Sequence, residues 1–179
     1  MSENLDNILL RYQDSFNKKK LTKTKESEDV LMGVFGINQE IKETNKQFWG
    51  RELGMCWQYL VDECFKNLEG YGGPLKINSD EPADLRYKEY AIDTKYRIGS
   101  GDSGTLKKFK QYGPLIKSKG YKPIMLFLRE DNLHAAITAL NSGGWEVKMG
   151  DSTFEFIKNY TGFDLFNYLL DRKLEYKFN

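Results

Sequence analysis

The sequence predicts an α/β domain with a central mixed β-sheet flanked by helices. Three observations predict it. Ile124, Met125, Leu126, Phe127 and Leu128 form an uninterrupted apolar run, the mark of a strand covered on both faces. From that run to residue 149 the order is strand, helix, strand, which suggests a parallel crossover. Upstream, residues 38–68 carry helical periodicity, and residues 75–98 read as short strands joined by tight turns.

The chain of 179 residues suits a single domain: an N-terminal helix and arm at 1–37, a core at 38–149 and C-terminal helices at 150–179. Hydrophobic residues at 40% and charged residues at 30% are ordinary for a globular protein, and no apolar run approaches a membrane span. The polar N-terminus does not read as a secretory signal, and Cys56 and Cys64, the only cysteines, fall at helical spacing. A cytoplasmic protein with reduced thiols is therefore expected.

Taken in order, Leu5, Ile8, Leu9, Tyr12 and Phe16 recur at helical spacing and predict a short amphipathic helix packed on the domain or on a second subunit. Residues 17–29 are polar, with Lys18, Lys19 and Lys20 as either a solvated linker or an arm that reaches phosphate. In the 38–68 helix, Trp49, Leu53, Cys56, Trp57, Leu60 and Cys64 form one stripe, with Glu52 and Glu63 on its margin. Tyr71, Gly72, Gly73 and Pro74 break that helix before a strand at 75–78, the first of a meander that leads into a hairpin at 84–98.

Within the hairpin, extended backbone at 90–98 sends Asp93, Lys95 and Arg97 to one side and Tyr90, Ile92, Thr94, Tyr96 and Ile98 to the other. A turn pairing residue 86 with residue 89 sets Asp84 opposite residue 91, diagonal to Asp93 on the same face. A one-residue slip would turn Asp84 away. Gly99, Gly101 and Gly104 then punctuate a loop holding Ser100, Asp102, Ser103 and Thr105, with Asp102 or Ser103 able to cap the next helix. Residues 105–122 contain Lys107, Lys108, Lys110, Lys117, Lys119 and Lys122 without one acid: a phosphate-contacting stretch or a solvated face.

Gly113 and Pro114 are positioned to interrupt that helix. After the buried strand, Asp131 or Asn132 can cap a helix that turns Leu133, Ala136, Ile137 and Leu140 inward and stops at Gly143 and Gly144. A strand at 145–149 and helices near 154–160 and 165–174 complete the domain.

An acid, any residue, then lysine occurs five times, beginning at Glu40, Asp93, Glu146, Asp171 and Glu175. Three lie in predicted helices or the tail. Glu146 and Lys148 alternate on a strand but lack a second acid brought close by a hairpin, whereas Asp93 has Asp84. His134 is the only histidine, which gives zinc or histidine catalysis little support. The three loop glycines lack the ribose-binding acid of a dinucleotide site, so no nucleotide cofactor is expected.

Pro82, Ala83 and Asp84, followed by Asp93, Thr94 and Lys95, resemble the two motif elements of the PD-(D/E)XK nuclease superfamily, with one residue between proline and aspartate where the family usually has none. Within it, KYRIGSGDSGT from Lys95 to Thr105 and REDNLHAAITAL from Arg129 to Leu140 look like type II restriction endonucleases of the ApaLI-like group. The resemblance implies a restriction-endonuclease-like fold and Mg²⁺-dependent, site-specific hydrolysis of double-stranded DNA that leaves 5′-phosphates. It implies that Asp84, Asp93 and the Thr94 carbonyl hold the metal, that Lys95 orients or helps deprotonate the water, and that Glu52 resembles the helical acid some relatives add. Arg97, Ser100, Asp102, Ser103 and Thr105 would reach bases or phosphates near the cut, and Lys107, Lys108 and Lys110 would position the backbone. A palindromic site implies a homodimer. Two other readings stand beside this one: a structure-specific or repair nuclease on the same scaffold, and a metal-free nucleic-acid-binding module in which Asp93 and Lys95 are simply ion-paired.

Overall fold

The computed structural model describes residues 28–99 and 103–177. The expected N-terminal helix, the Lys18 to Lys20 arm, Ser100 and Asp102 lie outside the described residues. The first helix, α1 (Val30–Phe35), is capped by Asp29, whose Oδ1 accepts from the Met32 amide at 3.0 Å, and ends at Gly36 with a φ of 66°. Asn38 caps α2 (Gln39–Thr44) in the same way.

The helix expected at 38–68 divides at Asn45. That residue leaves the helical region at φ −154° and ψ 77°, and its Oδ1 accepts from the Phe48 amide at 3.1 Å, so it caps α3 (Lys46–Phe65) instead of continuing α2. Asparagine favours this role because its short amide competes with the backbone for hydrogen bonds. On α3 the fully buried line is Leu53, Trp57, Val61 and Phe65, while Trp49, Cys56, Leu60 and Cys64 flank it partly buried. The inward face is thus rotated from the expected stripe.

Five strands form a mixed sheet in the order β1 (Tyr71–Gly72), β4 (Leu85–Tyr87), β5 (Tyr90–Lys95), β6 (Lys122–Phe127), β7 (Glu146–Met149). The β1, β4 and β5 neighbours pair antiparallel, and β5, β6 and β7 pair parallel. The segment expected to begin the meander instead forms a separate two-stranded hairpin of β2 (Leu75–Ile77) and β3 (Asp80–Ala83).

The two parallel crossovers run through α4 (Ser103–Ser118) and α5 (His134–Ser142), which pack on each other and on one face of the sheet with the β2–β3 hairpin. Right-handed crossovers that advance in one direction put both helices on the same side. The opposite face is covered by α3 and by α6 (Asp151–Thr161), with α1 and α7 (Leu165–Leu170) behind them. Trp57 ties α3 to the sheet by donating its Nε1–H to the Leu126 carbonyl at 3.3 Å.

Several local expectations change. Helix α4 runs unbroken through Gly113 and Pro114. Gly113 sits against α5 so closely that a Cβ there would meet the Gly143 carbonyl oxygen at 1.9 Å, so its bare backbone sets the helix approach. Neither Asp131 nor Asn132 caps α5. Leu133 takes the N-cap position without a side-chain bond, because Asp131 is committed to Arg129 and Asn132 to the Ile98 amide and the Arg129 carbonyl. Strand β5 ends at Lys95, and Ile98 joins the core beneath α4 and α5 instead of sharing the face of Tyr96. Among the described residues, no helix is long and apolar enough to cross a membrane.

Candidate active site

The turn between β4 and β5 decides the geometry. Lys88 takes a φ of 49°, and Tyr87 pairs with Tyr90 across a two-residue turn, so Arg86 faces Ala91 and Leu85 faces Ile92. Extending that register by one step sets Asp84 directly opposite Asp93. The sequence expectation was two residues out. A two-residue slip preserves side-chain parity, so the two carboxylates come together all the same.

Asp84 is held by three donors. Its Oδ2 accepts from the Thr94 amide at 2.8 Å and from the Thr94 hydroxyl at 2.7 Å, and its Oδ1 accepts from Gln58 Nε2 on α3 at 2.9 Å. The Lys95 ammonium donates to Asp93 Oδ1 at 3.0 Å and to the Thr94 carbonyl at 3.0 Å. The Asp93 side chain is only 13% exposed against 39% for Lys95, so the carboxylate lies on the floor and the ammonium nearer the rim.

This face is not an open chemical surface set apart from the packing. Asp93 and Lys95 follow the buried Ala91 and lie beside Met125 and Phe127 of β6, on the side covered by α4 and α5. Burial pushes the Asp93 carboxyl up to about 7; the Lys95 charge opposes that rise and the Asp84 charge adds to it. For Lys95, burial works against the ammonium, but the negative charges of Asp93 and Asp84 outweigh it and hold the group above its ordinary value. Tyr112 of α4 is near enough to feel this site, its phenol raised by burial, by a hydrogen bond with Asp80 and the Asp80 charge, and last by the charge of Asp93.

Beside these groups lies a groove of about 760 Å³ lined by Lys42, Lys46, Lys95 and Arg97, with Gln47, Tyr96, Ile98, Thr105, Phe109 and two glycines between them. No acid is among its described lining residues. Arg97 points its Nε to both the carbonyl and the carboxylate of Asp131, each at 3.0 Å. Lys107, Lys108 and Lys110 are exposed along α4, and Ser103 is exposed at its first turn.

Glu52 is not brought to this site. It pairs with Arg51 at 2.9 Å and lines a surface cleft with Phe35, Trp49 and Cys56. Gln58, six residues on and about 120° around the helix, is the α3 side chain that reaches Asp84. Glu63 is exposed and pairs with Lys66. Glu146 and Lys148 form their own ion pair at 3.0 Å on β7, but they stand opposite Ile124 and Leu126, so no second carboxylate joins them from β6.

Sequence reasoning missed Gln58, Lys42 and Tyr112. The first needed the true inward line of α3, and the second stood in an acid–lysine pattern set aside because it was helical. No comparison with family models, curated proteins or solved structures finds a match to this chain.

The donors suit a hard cation. Asp84, Asp93 and the Thr94 carbonyl offer only oxygen, and Mg²⁺ commonly takes one or two carboxylates and completes its shell with water and phosphate. Among the described residues no group of three or more His, Cys, Asp or Glu is arranged to hold a metal ion, so a metal here would rest on two carboxylates.

Proposed function

We propose that this chain is a Mg²⁺-dependent deoxyribonuclease with a restriction-endonuclease-like fold, acting as a type II enzyme that hydrolyses phosphodiester bonds site-specifically in double-stranded DNA. The single observation that carries the reading is the approach of Asp84, just before β4, to Asp93 of β5, with the Lys95 ammonium 3.0 Å from Asp93. The adjoining groove, lined by four cations and, among the described residues, no acid, supports a polyanion as substrate.

Mg²⁺ held by Asp84, Asp93 and the Thr94 carbonyl would acidify a bound water and offset charge growing on the phosphate. Thr94 and Gln58 fix the Asp84 carboxylate, so its remaining lone pairs point in set directions. Lys95 is held protonated by its two acidic neighbours, which favours a donor that orients the water and stabilises phosphate charge over a base that removes a proton. Water attacks phosphorus as the bond to the 3′-oxygen breaks. The leaving oxygen takes up a proton, giving a 3′-hydroxyl and a 5′-phosphate. Two copies on a two-fold axis would present equal surfaces to the halves of a palindrome.

The test is incubation of wild type, Asp93→Asn and Lys95→Ala with plasmids of known sequence, with Mg²⁺ and with chelator, followed by end-sequencing. Discrete ends at one short palindrome are expected, abolished by chelator and reduced at least about 100-fold by either substitution.

One observation favours a second reading. The Lys95 ammonium lies on the Asp93 oxygen and the Thr94 carbonyl that a metal would use, as it would in a metal-free nucleic-acid-binding module. Chelator-insensitive DNA binding without cleavage of plasmid or branched DNA would establish that module instead.

A further inference from the structure

Beside the groove runs a chain of polar contacts, buried at Arg129 and reaching the surface at Asp131, that the proposed chemistry does not use. Lys42 Nζ donates to the Tyr96 hydroxyl at 3.4 Å, and that hydroxyl donates to Asp29 Oδ2. Arg129 Nη1 donates to the same Asp29 oxygen at 2.8 Å. The rest of the Arg129 guanidinium grips Asp131, Nε to Oδ1 at 2.7 Å and Nη2 to Oδ2 at 3.1 Å, and Asp131 in turn accepts from Arg97. Both ends, Lys42 and Arg97, line the groove.

The centre does not line it. The Arg129 side chain is 3% exposed and forms no part of the groove wall. Burial opposes its charge, and Asp131 and Asp29 together overcome that and hold it protonated. A buried guanidinium gripped by two carboxylates is a costly way to gain stability, since apolar residues of similar volume often serve as well or better. What it supplies here is orientation. Its fork fixes Asp131, which aims Arg97, and Asp29, which both caps α1 and receives the Tyr96 hydroxyl next to Lys42.

We propose that Arg129 is a positioning residue for polyanion binding, acting through Asp131 on Arg97. The inference rests on the reading of the groove as the DNA path. A lysine at this position keeps the charge but cannot grip both acids at once, so Arg97 would lose its aim while the fold keeps a buried cation.

The experiment measures affinity of the full chain for a fluorescein-labelled DNA duplex in chelator, across a salt series. It uses wild type, Arg129→Lys, Asp131→Asn, Arg97→Ala and the double variants with Arg97→Ala. Arg129→Lys and Asp131→Asn are each expected to weaken binding about tenfold alone and less than about twofold in the Arg97→Ala background. The Arg97 Nε–H resonance should shift in both single variants. Equal losses in both backgrounds, or an unmoved resonance, would overturn the positioning role and leave the DNA path standing. A wild type that binds no duplex would overturn both. Should Arg129→Lys fail to fold, Asp131→Asn carries the same cycle.

Discussion

Asp93 is where pH acts on this protein. Burial pushes its carboxyl from an ordinary 3.8 up to about 7, so the folded state holds the proton more tightly. The resulting contribution to stability is complete below about pH 4 and is lost as pH rises through about 7. Thermal unfolding followed across that window should show a falling midpoint for wild type and a flatter profile for Asp93→Asn; parallel profiles would contradict the assignment. A cation at the same carboxylates competes with that proton, so Mg²⁺ affinity by calorimetry should strengthen as pH rises past 7 in wild type. On α3, Gln58→Ala should lower cleavage about tenfold by releasing one Asp84 oxygen, whereas Glu52→Ala, which removes only an exposed partner of Arg51, should change it by less than about twofold. That Asp84 and Asp93 share a face could be read from the alternation of β5 and a short turn, but their direct opposition could not, because the turn lies one residue further along each strand than 86 paired with 89 implies. Gln58 could not, because its contact depends on how α3 is rotated about its axis, and a stripe of tryptophans and cysteines leaves that rotation loose.

At the scale of elements, periodicity located the long helix, the buried β6 and the crossover to β7. It did not reveal the break at Asn45, where one capping side chain outweighs continuous helical spacing, or the departure of β2 and β3 from the main sheet. Local signals at Gly113 and Pro114 suggested a break that packing overrides. The glycine there serves contact with Gly143, and Gly113→Ala should cost about 1–3 kcal/mol in denaturant unfolding as α4 is forced from α5. Gly54 on α3 is the control. A Cβ at that position meets nothing within 4 Å, and Gly54→Ala should stabilise by up to about 1 kcal/mol. Equal effects of opposite expectation would show that the α4–α5 approach is looser than the backbone contact implies.

For the molecule as a whole, net charge is +1 and conceals an uneven distribution: a basic groove at one end of the parallel strands, and a neighbouring cavity that carries Glu28, Asp29, Glu130, Asp131 and Asp151. DNA affinity should therefore fall steeply with salt, and Lys46→Ala should reduce the slope of log K against log salt by about one. An unchanged slope would remove Lys46 from the path. The same sheet also ends somewhere, and β7 is where it ends on the parallel side. Its outer backbone is a template on which another chain could build, yet it is four residues long and carries Glu146 and Lys148. The acid–lysine pair puts charge on that edge, and replacing both residues with valine is expected to yield a protein that folds but scatters light on standing.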